Sequence, residues 1–147
     1  MANVNYKPAG YHTVTPYLTV MEPERLIEFL TQAFDGQATE ALKDADGRIQ
    51  HAEVRIGDSM LMIGGAREAA AVKPAVFYLY VPDTDALYQR ALAAGGISLM
   101  EPADQFYGDR NAGVQDPLGN TWWIATHKEE MSSEELQRRS DARYSQS

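Results

Sequence analysis

The sequence has no cysteine, little positive charge and no long apolar run, and each absence excludes a class of protein. Without cysteine the chain has no disulfide framework and no thiolate chemistry. Its 13 lysine and arginine residues are outnumbered by 21 aspartate and glutamate residues, which gives a net charge of −8. Because a nucleic-acid interface needs a basic surface, this charge argues against nucleic acid as a partner.

Apolar residues never extend over the ~20 positions that a transmembrane helix requires, so we expect no membrane partner. The first residues, MANVNYKPAGYHTVTPYL, lack the charged and apolar blocks of a signal peptide, and we therefore expect a cytoplasmic location. The hydrophobic fraction of 44% over 147 residues is ordinary for one globular domain. A small molecule is the partner that these exclusions leave.

What the chain does contain is an alternation of strand and helix patterns. Pro16 cannot donate a ladder hydrogen bond, which predicts that it lies at an edge or at an unpaired position of the first strand. Asp83 is the expected N-cap of the second helix, while Gly36 and the Gly95–Gly96 pair are expected to end the two helices. The predicted order is strand 13–20, helix 22–36, strands 38–43, 48–56 and 59–63, then strand 75–81, helix 82–96, and strands 97–100, 111–115 and 121–126.

The second half of this order repeats the first. Val20 and Val81, which end the two leading strands, are 61 residues apart. The helix residues Leu26, Leu30 and Ala33 recur at the same offset as Leu87, Ala91 and Ala94. We therefore predict two βαβββ modules within one domain.

The expected module boundaries are about 13–64 and 75–127, with a linker at 65–74. A capping box, Ser132 to Glu135, begins a tail helix expected over 132–143. Its polar composition favours a solvated surface helix.

Four segments carry a resemblance to a known family. They are GYHTVTPYL, DGRIQHAEVRIGDS, DQFYGDR and DPLGNTWWIATHKE. Together with paired βαβββ modules, they resemble the vicinal oxygen chelate superfamily of glyoxalases, extradiol dioxygenases and bleomycin-resistance proteins, and in particular a bacterial branch with QFYGDR and DPxGxxW motifs. The resemblance implies an α+β fold in which each module curls its sheet into half a barrel. The two halves would enclose a ligand cavity, and a homodimer is expected.

Strand alternation divides the side chains between core and cavity. Trp122 and Ile124 are expected beneath the helix, so Trp123 faces the cavity. The alternative is that Trp123 fills a closed interior without a ligand. The same alternation directs Tyr17, Tyr78 and Tyr80 to the cavity, while Met60, Met62 and Met100 are expected to fill the core.

Ionisable side chains also alternate along residues 48–56. If Ala52, Val54 and Ile56 meet the helix, the cavity receives His51, Glu53 and Arg55. The alternative is a solvated edge. The segment 103–110 adds Tyr107 and Arg110 at the cavity mouth by the resemblance; the alternative there is that Asp109 and Arg110 merely fix a turn.

Three functions follow from this cavity. The first is a bleomycin-resistance type of protein that binds or sequesters an aromatic or apolar compound. The second is a lyase or isomerase of the glyoxalase superfamily with His51 or Glu53 as general base. The third is a non-catalytic dimeric scaffold, so whether the protein is an enzyme stays open. The candidate ligand-binding residues are Tyr17, His51, Glu53, Arg55, Tyr78, Tyr80, Tyr107, Arg110 and Trp123.

We expect no cofactor and no metal. His12, His51 and His127 lack the spacing of a zinc site. Metal-binding members of the resembled superfamily carry histidine, glutamine or glutamate at positions that correspond by counting to Thr15, Leu61, Val76 and Trp123 here. These side chains are poor ligands for a divalent ion.

Overall fold

The computed structural model describes residues 4–145, and it contains two similar halves followed by a helix. A short 3-10 turn at Ala69–Ala71 lies between the halves. In chain order the elements are β1 (Tyr17–Val20), α1 (Pro23–Phe34), β2 (Gln37–Lys43), β3 (Ile49–Ile56), β4 (Ser59–Gly65), β5 (Val76–Tyr80), α2 (Thr84–Ala93), β6 (Ile97–Asp104), β7 (Asp109–Gln115), β8 (Thr121–His127) and α3 (Ser133–Tyr144).

Each half forms its own four-stranded mixed sheet. The orders are β1-β4-β3-β2 and β5-β8-β7-β6, so the leading strand of each half lies at an edge. The parallel pair β1–β4 sets Tyr17 opposite Met62, and the pair β5–β8 sets Tyr78 opposite Trp123. Both members of the second pair lie 61 residues after those of the first, so the predicted repeat of two βαβββ modules is confirmed in its register.

The core lies between the two sheets, where α1 and α2 pack against each other and each covers its own sheet. Trp122 from the second sheet stacks on Phe77, with ring centroids 4.4 Å apart, and reaches Phe34 of α1 at 5.3 Å. Its indole Nε1 donates to Asp116 Oδ2 at 2.9 Å, which satisfies the buried N–H. The core is therefore continuous between the modules, and Trp122 lies beneath the helices as predicted.

The helix ends follow local chemistry with one difference from expectation. Asp83 caps α2 by accepting a hydrogen bond from the Ala86 amide at 3.1 Å, as predicted. At the end of α1 the left-handed residue is Asp35, with φ 57°, and Gly36 follows it. Asp35 is held there by Arg90 of α2, whose guanidinium donates to both of its carboxylate oxygens at 2.7 and 3.1 Å.

Several predicted boundaries move. β1 begins at Tyr17 rather than at residue 13, because Pro16 has no amide hydrogen and pairs only through its carbonyl, which accepts from the Met62 amide at 2.9 Å. Half of the segment 103–110 is strand, since β6 extends to Asp104 and β7 begins at Asp109, with residues 105–108 between them. β4 extends to Gly65, whereas the predicted strand ended at residue 63 and the predicted linker began at residue 65.

The tail helix α3 begins at the predicted cap, where the Ser132 hydroxyl accepts from the Glu135 amide at 3.1 Å. Arg139 attaches the helix to the second module: it contacts both carboxylate oxygens of Glu129 at 2.7 and 3.0 Å, and it donates to the Phe106 carbonyl at 3.3 Å. None of the helices within residues 4–145 combines the length and the apolar character that crossing a bilayer demands.

Candidate functional site

The candidate site lies on the face of the second sheet that is turned away from the helices. On β5 this face carries Tyr78 and Tyr80, whose partly and largely exposed side chains alternate with Phe77 and Leu79, which pack on the core. On β8 the same alternation directs Trp123 outward, between the buried Trp122 and Ile124.

Tyr78 and Tyr80 reach from β5 across β8 to a carboxylate on β7. The Tyr78 hydroxyl donates to Asp109 Oδ2 at 2.7 Å, and the Tyr80 hydroxyl donates to the same oxygen at 3.0 Å. β8 lies between the two strands, and its residue opposite Tyr80 is the fully buried Ala125. A small side chain is needed at this position because both tyrosine rings must pass over the strand.

Asp109 is only 5% exposed, yet it keeps its charge through these hydrogen bonds. Burial alone would raise its pKa, but the hydrogen bonds from His127, Tyr78 and Tyr80 outweigh burial and lower the pKa below its ordinary value. His127 Nδ1 lies 2.8 Å from Asp109 Oδ1, and this hydrogen bond raises the pKa of His127. Burial, followed by the bond to Asp109, raises the pKa of Tyr78.

Asn111, two residues along β7, continues the polar network towards the next loop. Its Nδ2 donates to the hydroxyl oxygens of Tyr78, at 3.0 Å, and Tyr107, at 2.7 Å. Its Oδ1 accepts from Gln105 Nε2 at 3.1 Å. A connected network of this kind holds its side chains in one arrangement.

Trp123 supplies the apolar wall of the site. Its ring lies over Gly113, its partner in the β7–β8 register, so closely that a Cβ at residue 113 would overlap the indole. The flat ring leaves an open pocket of about 300 Å³ above the sheet. The pocket is lined by Tyr78, Met100, Gln105, Tyr107, Asn111 and Trp123.

The outer face of the first sheet has a related design. The Tyr17 ring lies over Gly64, where a Cβ would come within 2.7 Å of the Tyr17 hydroxyl oxygen. His51 Nε2 lies 4.0 Å from Glu53 Oε1, and the His51 and Tyr17 ring centroids are 5.9 Å apart. The Tyr11 hydroxyl is buried near Glu53 and, within residues 4–145, makes no hydrogen bond of good geometry. Burial, together with the Glu53 carboxylate, raises the Tyr11 pKa to about 12.

The predicted site residues thus fall into two groups. Tyr78, Tyr80, Tyr107 and Trp123 lie together on the second sheet, and Tyr17, His51 and Glu53 lie together on the first. One chain does not bring the groups into a single cavity in the way that we expected, because α1 and α2 lie between the two sheets.

The two predicted arginines have different surroundings. Arg55 is exposed on the first sheet, with its guanidinium beside Gly10. Arg110 lies on the helix side of β7, in line with Ala112 and Val114. Its guanidinium pairs with both carboxylate oxygens of Asp85, at 2.8 and 2.9 Å, outside the pocket lining.

The positions that correspond to the metal ligands of the superfamily do not suit a divalent ion. Leu61 is buried in the core, and the residue on the outer face is Met62, so our count was wrong by one residue because Met62 is the true counterpart of Trp123. Thr15, Met62, Val76 and Trp123 together offer one neutral hydroxyl and one thioether, which do not form a site for a divalent ion. Among residues 4–145 there is no cluster of three or more histidine, aspartate or glutamate side chains that could hold a metal.

Sequence reasoning missed three polar side chains of the site, Gln105, Asn111 and His127, and one apolar side chain, Met100. Asp109 was considered only as a turn residue. A signal was present in the alternation of β7. When this strand is extended to residue 109, Asp109, Asn111 and Gly113 share one face, and the buried Ala112 and Val114 lie on the other. Met100 was expected in the core, but it lines the pocket.

Comparisons with known proteins agree with this architecture. Residues 11–124 match the sequence model of the Glyoxalase/Bleomycin resistance protein/Dioxygenase superfamily. The uncharacterized protein Mb0911c of Mycobacterium bovis is 30% identical over 145 residues, which cover 91% of this chain and 93% of the relative.

Solved structures with the same fold share less sequence. The crystal structure of TioX from Micromonospora sp. ML1 aligns with a TM-score of 0.68 and 24% identity, over 79% of this chain and 98% of TioX. A glyoxalase/bleomycin resistance protein/dioxygenase family enzyme from Burkholderia phytofirmans PsJN aligns with a TM-score of 0.62 and 18% identity, over 76% of this chain and 94% of the enzyme. At these identities the likeness concerns the fold alone.

Proposed function

The chain belongs to the Glyoxalase/Bleomycin resistance protein/Dioxygenase superfamily, and we propose that it binds a flat aromatic or apolar small molecule at Trp123 without altering it. The observation that carries this proposal is the position of the indole over Gly113. A ring that only filled space would not need a glycine beneath it. Here the glycine lets the indole lie flat and leaves an aromatic surface on which a ligand can stack.

We propose that the protein is a homodimer in which a second copy covers this pocket. The outer faces carry side chains that are strongly exposed in one chain: Tyr17 at 57%, Val76 at 68% and Tyr80 at 62%. Within the described residues, β1 and β5 each pair on one side only, so both sheets have an open edge beside these side chains. A partner that joined edge to edge would bring the Tyr17 face of one protomer towards the Trp123 face of the other.

The binding proposal is tested by a thermal-shift screen of flat aromatic compounds. A compound that binds the native state raises the unfolding temperature, and Trp123→Ala should abolish this shift. Recovery of each hit after incubation then separates the functions. Unchanged compound supports binding or sequestration, and turnover supports an enzyme. A screen without hits would support the dimeric scaffold instead.

A lyase or isomerase is the second candidate, and the first sheet carries the observation that favours it. His51 and Glu53 are partly buried and 4.0 Å apart, and Glu53 lies near the Tyr11 hydroxyl, which makes no hydrogen bond of good geometry within residues 4–145. Proton transfer needs a base within reach of a group that can donate a proton, and here His51 or Glu53 would be the base and the Tyr11 hydroxyl the donor. If a hit is turned over, His51→Gln and Glu53→Gln should each remove the turnover while the thermal shift at Trp123 persists.

A further inference from the structure

The polar side chains behind the pocket form a chain of hydrogen bonds from Asp109 through Tyr78 and Asn111 to Tyr107, which we call the relay. The charge of Asp109 decides which atom donates in each of these hydrogen bonds. The Asp109 carboxylate can only accept hydrogen bonds, so the hydrogen of the Tyr78 hydroxyl is committed to it. The Tyr78 oxygen must therefore act as the acceptor towards Asn111, whose Nδ2 lies 3.0 Å away. This orients the Asn111 amide with its NH₂ group towards the tyrosines.

The orientation of Asn111 decides what Tyr107 offers to the pocket. Asn111 Nδ2 donates to the Tyr107 hydroxyl oxygen at 2.7 Å, while Asn111 Oδ1 accepts from Gln105. The Tyr107 oxygen is thus an acceptor within the network, and its own hydrogen is not used there. Among residues 4–145 the nearest competing acceptor for this hydrogen is the Tyr78 oxygen, and that contact lacks the geometry of a good hydrogen bond. The Tyr107 hydrogen can therefore turn to a ligand in the pocket.

The surroundings of the pocket favour an uncharged ligand. The six lining residues include no lysine or arginine, and the ionised Asp109 lies behind Tyr78. The positive charge that His127 can carry is already paired with the Asp109 carboxylate at 2.8 Å, so none of it is left for an anion in the pocket. The Trp123 indole N–H is a second donor without a partner among residues 4–145.

We propose that the relay from Asp109 through Tyr78 and Asn111 makes Tyr107 a donor that selects uncharged, flat aromatic molecules with a hydrogen-bond acceptor on their edge. A carbonyl oxygen or a ring nitrogen would serve as this acceptor. The inference rests on the proposed binding function and adds the ligand class and the residue that selects it. Tyr107 would then determine specificity, while Trp123 supplies the stacking surface.

The test compares two probes of the same shape, quinoline and naphthalene, at neutral pH. Both are flat and uncharged, and only quinoline has an acceptor. Binding is followed by NMR on the ¹⁵N-labelled indole resonances of the full chain in solution. The Trp122 N–H is bonded to Asp116 and serves as an internal reference for the free N–H of Trp123. We expect quinoline to bind at least about fivefold more tightly, because one net hydrogen bond separates the probes.

Variants then test the relay itself. Tyr107→Phe should reduce quinoline affinity to that of naphthalene and leave naphthalene affinity unchanged. Asp109→Asn provides an independent test, since an amide no longer fixes the direction of the relay and the preference for quinoline should fall. The matched control is Tyr6→Phe, because Tyr6 is 92% exposed and lies outside the pocket.

The outcomes separate the relay from the binding function. Equal affinities for the two probes in the unmodified protein, or an unchanged preference in Tyr107→Phe, would overturn the relay while leaving binding at Trp123 intact. If neither probe moved the Trp123 resonance, both the relay and the proposed function would be wrong.

Discussion

The indole of Trp123 lies over Gly113, its register partner on the neighbouring strand, with no room for a Cβ between them. Gly113→Ala should therefore displace the indole and obstruct the pocket. We expect a loss of about 1–3 kcal/mol in the free energy of unfolding, which is typical of overpacking, and a shift of the Trp123 indole resonance. The measurements are urea unfolding and a two-dimensional NMR spectrum.

Gly64→Ala is the matched control for this substitution. It crowds Tyr17 on the first sheet in the same way, so it should also cost stability. It should leave the Trp123 resonance where it is. If both variants moved that resonance equally, the contact with Gly113 would not be what positions the ring.

Adjacent tryptophans should differ sharply when each is removed. Trp122 is 1% exposed, stacks on Phe77 and donates to Asp116, so Trp122→Ala should cost about 3–5 kcal/mol in the free energy of unfolding. Trp123→Ala should cost much less, because one side of its ring is open to the pocket. Its main effect should be the loss of ligand affinity, by about 1–3 kcal/mol. Similar losses of stability would indicate that Trp123 only fills a closed interior.

The different roles of these tryptophans could be predicted because strand side chains alternate with a period of two. The same rule, applied to β7, places Arg110 with Ala112 and Val114 on the helix side, as the structure shows. We missed this because the predicted strand began at residue 111, so the alternation was not extended to Arg110. The error came from a strand boundary.

Other features of the site depend on contacts that no local pattern contains. The buried Asp109 carboxylate is stabilised by His127 and also by hydroxyls from β5, which reach it across a strand that carries alanine at the crossing. These residues are 29 and 31 positions from Asp109 in the sequence. The division of the outer faces between opposite sides of one chain likewise follows from the packing of α1 on α2, which a repeat alone does not specify.

The pair formed by Asp109 and His127 should make stability depend on pH. The pKa of His127 is raised in the folded state, so its contribution is complete below the ordinary value of 6.5 and is lost as the pH rises through the folded-state value. The pKa of Asp109 is lowered, so its contribution is present above 3.8 and is lost as the pH falls through the lowered value. The pair therefore stabilises the fold most between these two ordinary values.

His127→Gln tests this dependence. The free energy of unfolding of the unmodified protein should exceed that of the variant most at about pH 5–6, and the difference should decrease towards pH 9. Urea unfolding at a series of pH values measures it. His12→Gln is the control, since the hydrogen bond that His12 makes within residues 4–145 is to the uncharged Asp58 carbonyl. A difference that stayed constant from pH 5 to 9 would exclude a charged pair.

The tail helix should depend on Arg139, which joins it to Glu129 and to the carbonyl of Phe106 beside the pocket. Arg139→Ala should increase amide hydrogen exchange in α3 and in residues 105–108, because both lose their shared contact. Global stability should change little, as for other exposed ion pairs. Arg138→Ala is the matched control, because the ion pair that Arg138 makes among residues 4–145 is with Glu135 on the same helix. Equal exchange in both variants would contradict the anchoring role of Arg139.

The proposed dimer makes the exposed outer face of β5 an interface. Val76 is 68% exposed at the open edge of this strand, so Val76→Glu would place a charge where two apolar faces meet. We expect the unmodified protein to have twice the mass of one chain by light scattering and the variant to dissociate. Leu136→Glu on α3 is the control for the added charge, since that side chain is exposed and lies away from both sheets. Circular dichroism should show that each variant keeps its fold.

If a second copy covers the pocket, the Val76→Glu monomer should also bind quinoline more weakly, because one wall of the site would be lost. A monomeric unmodified protein, or a variant that stayed dimeric at micromolar concentration, would show that the partner does not contact this face.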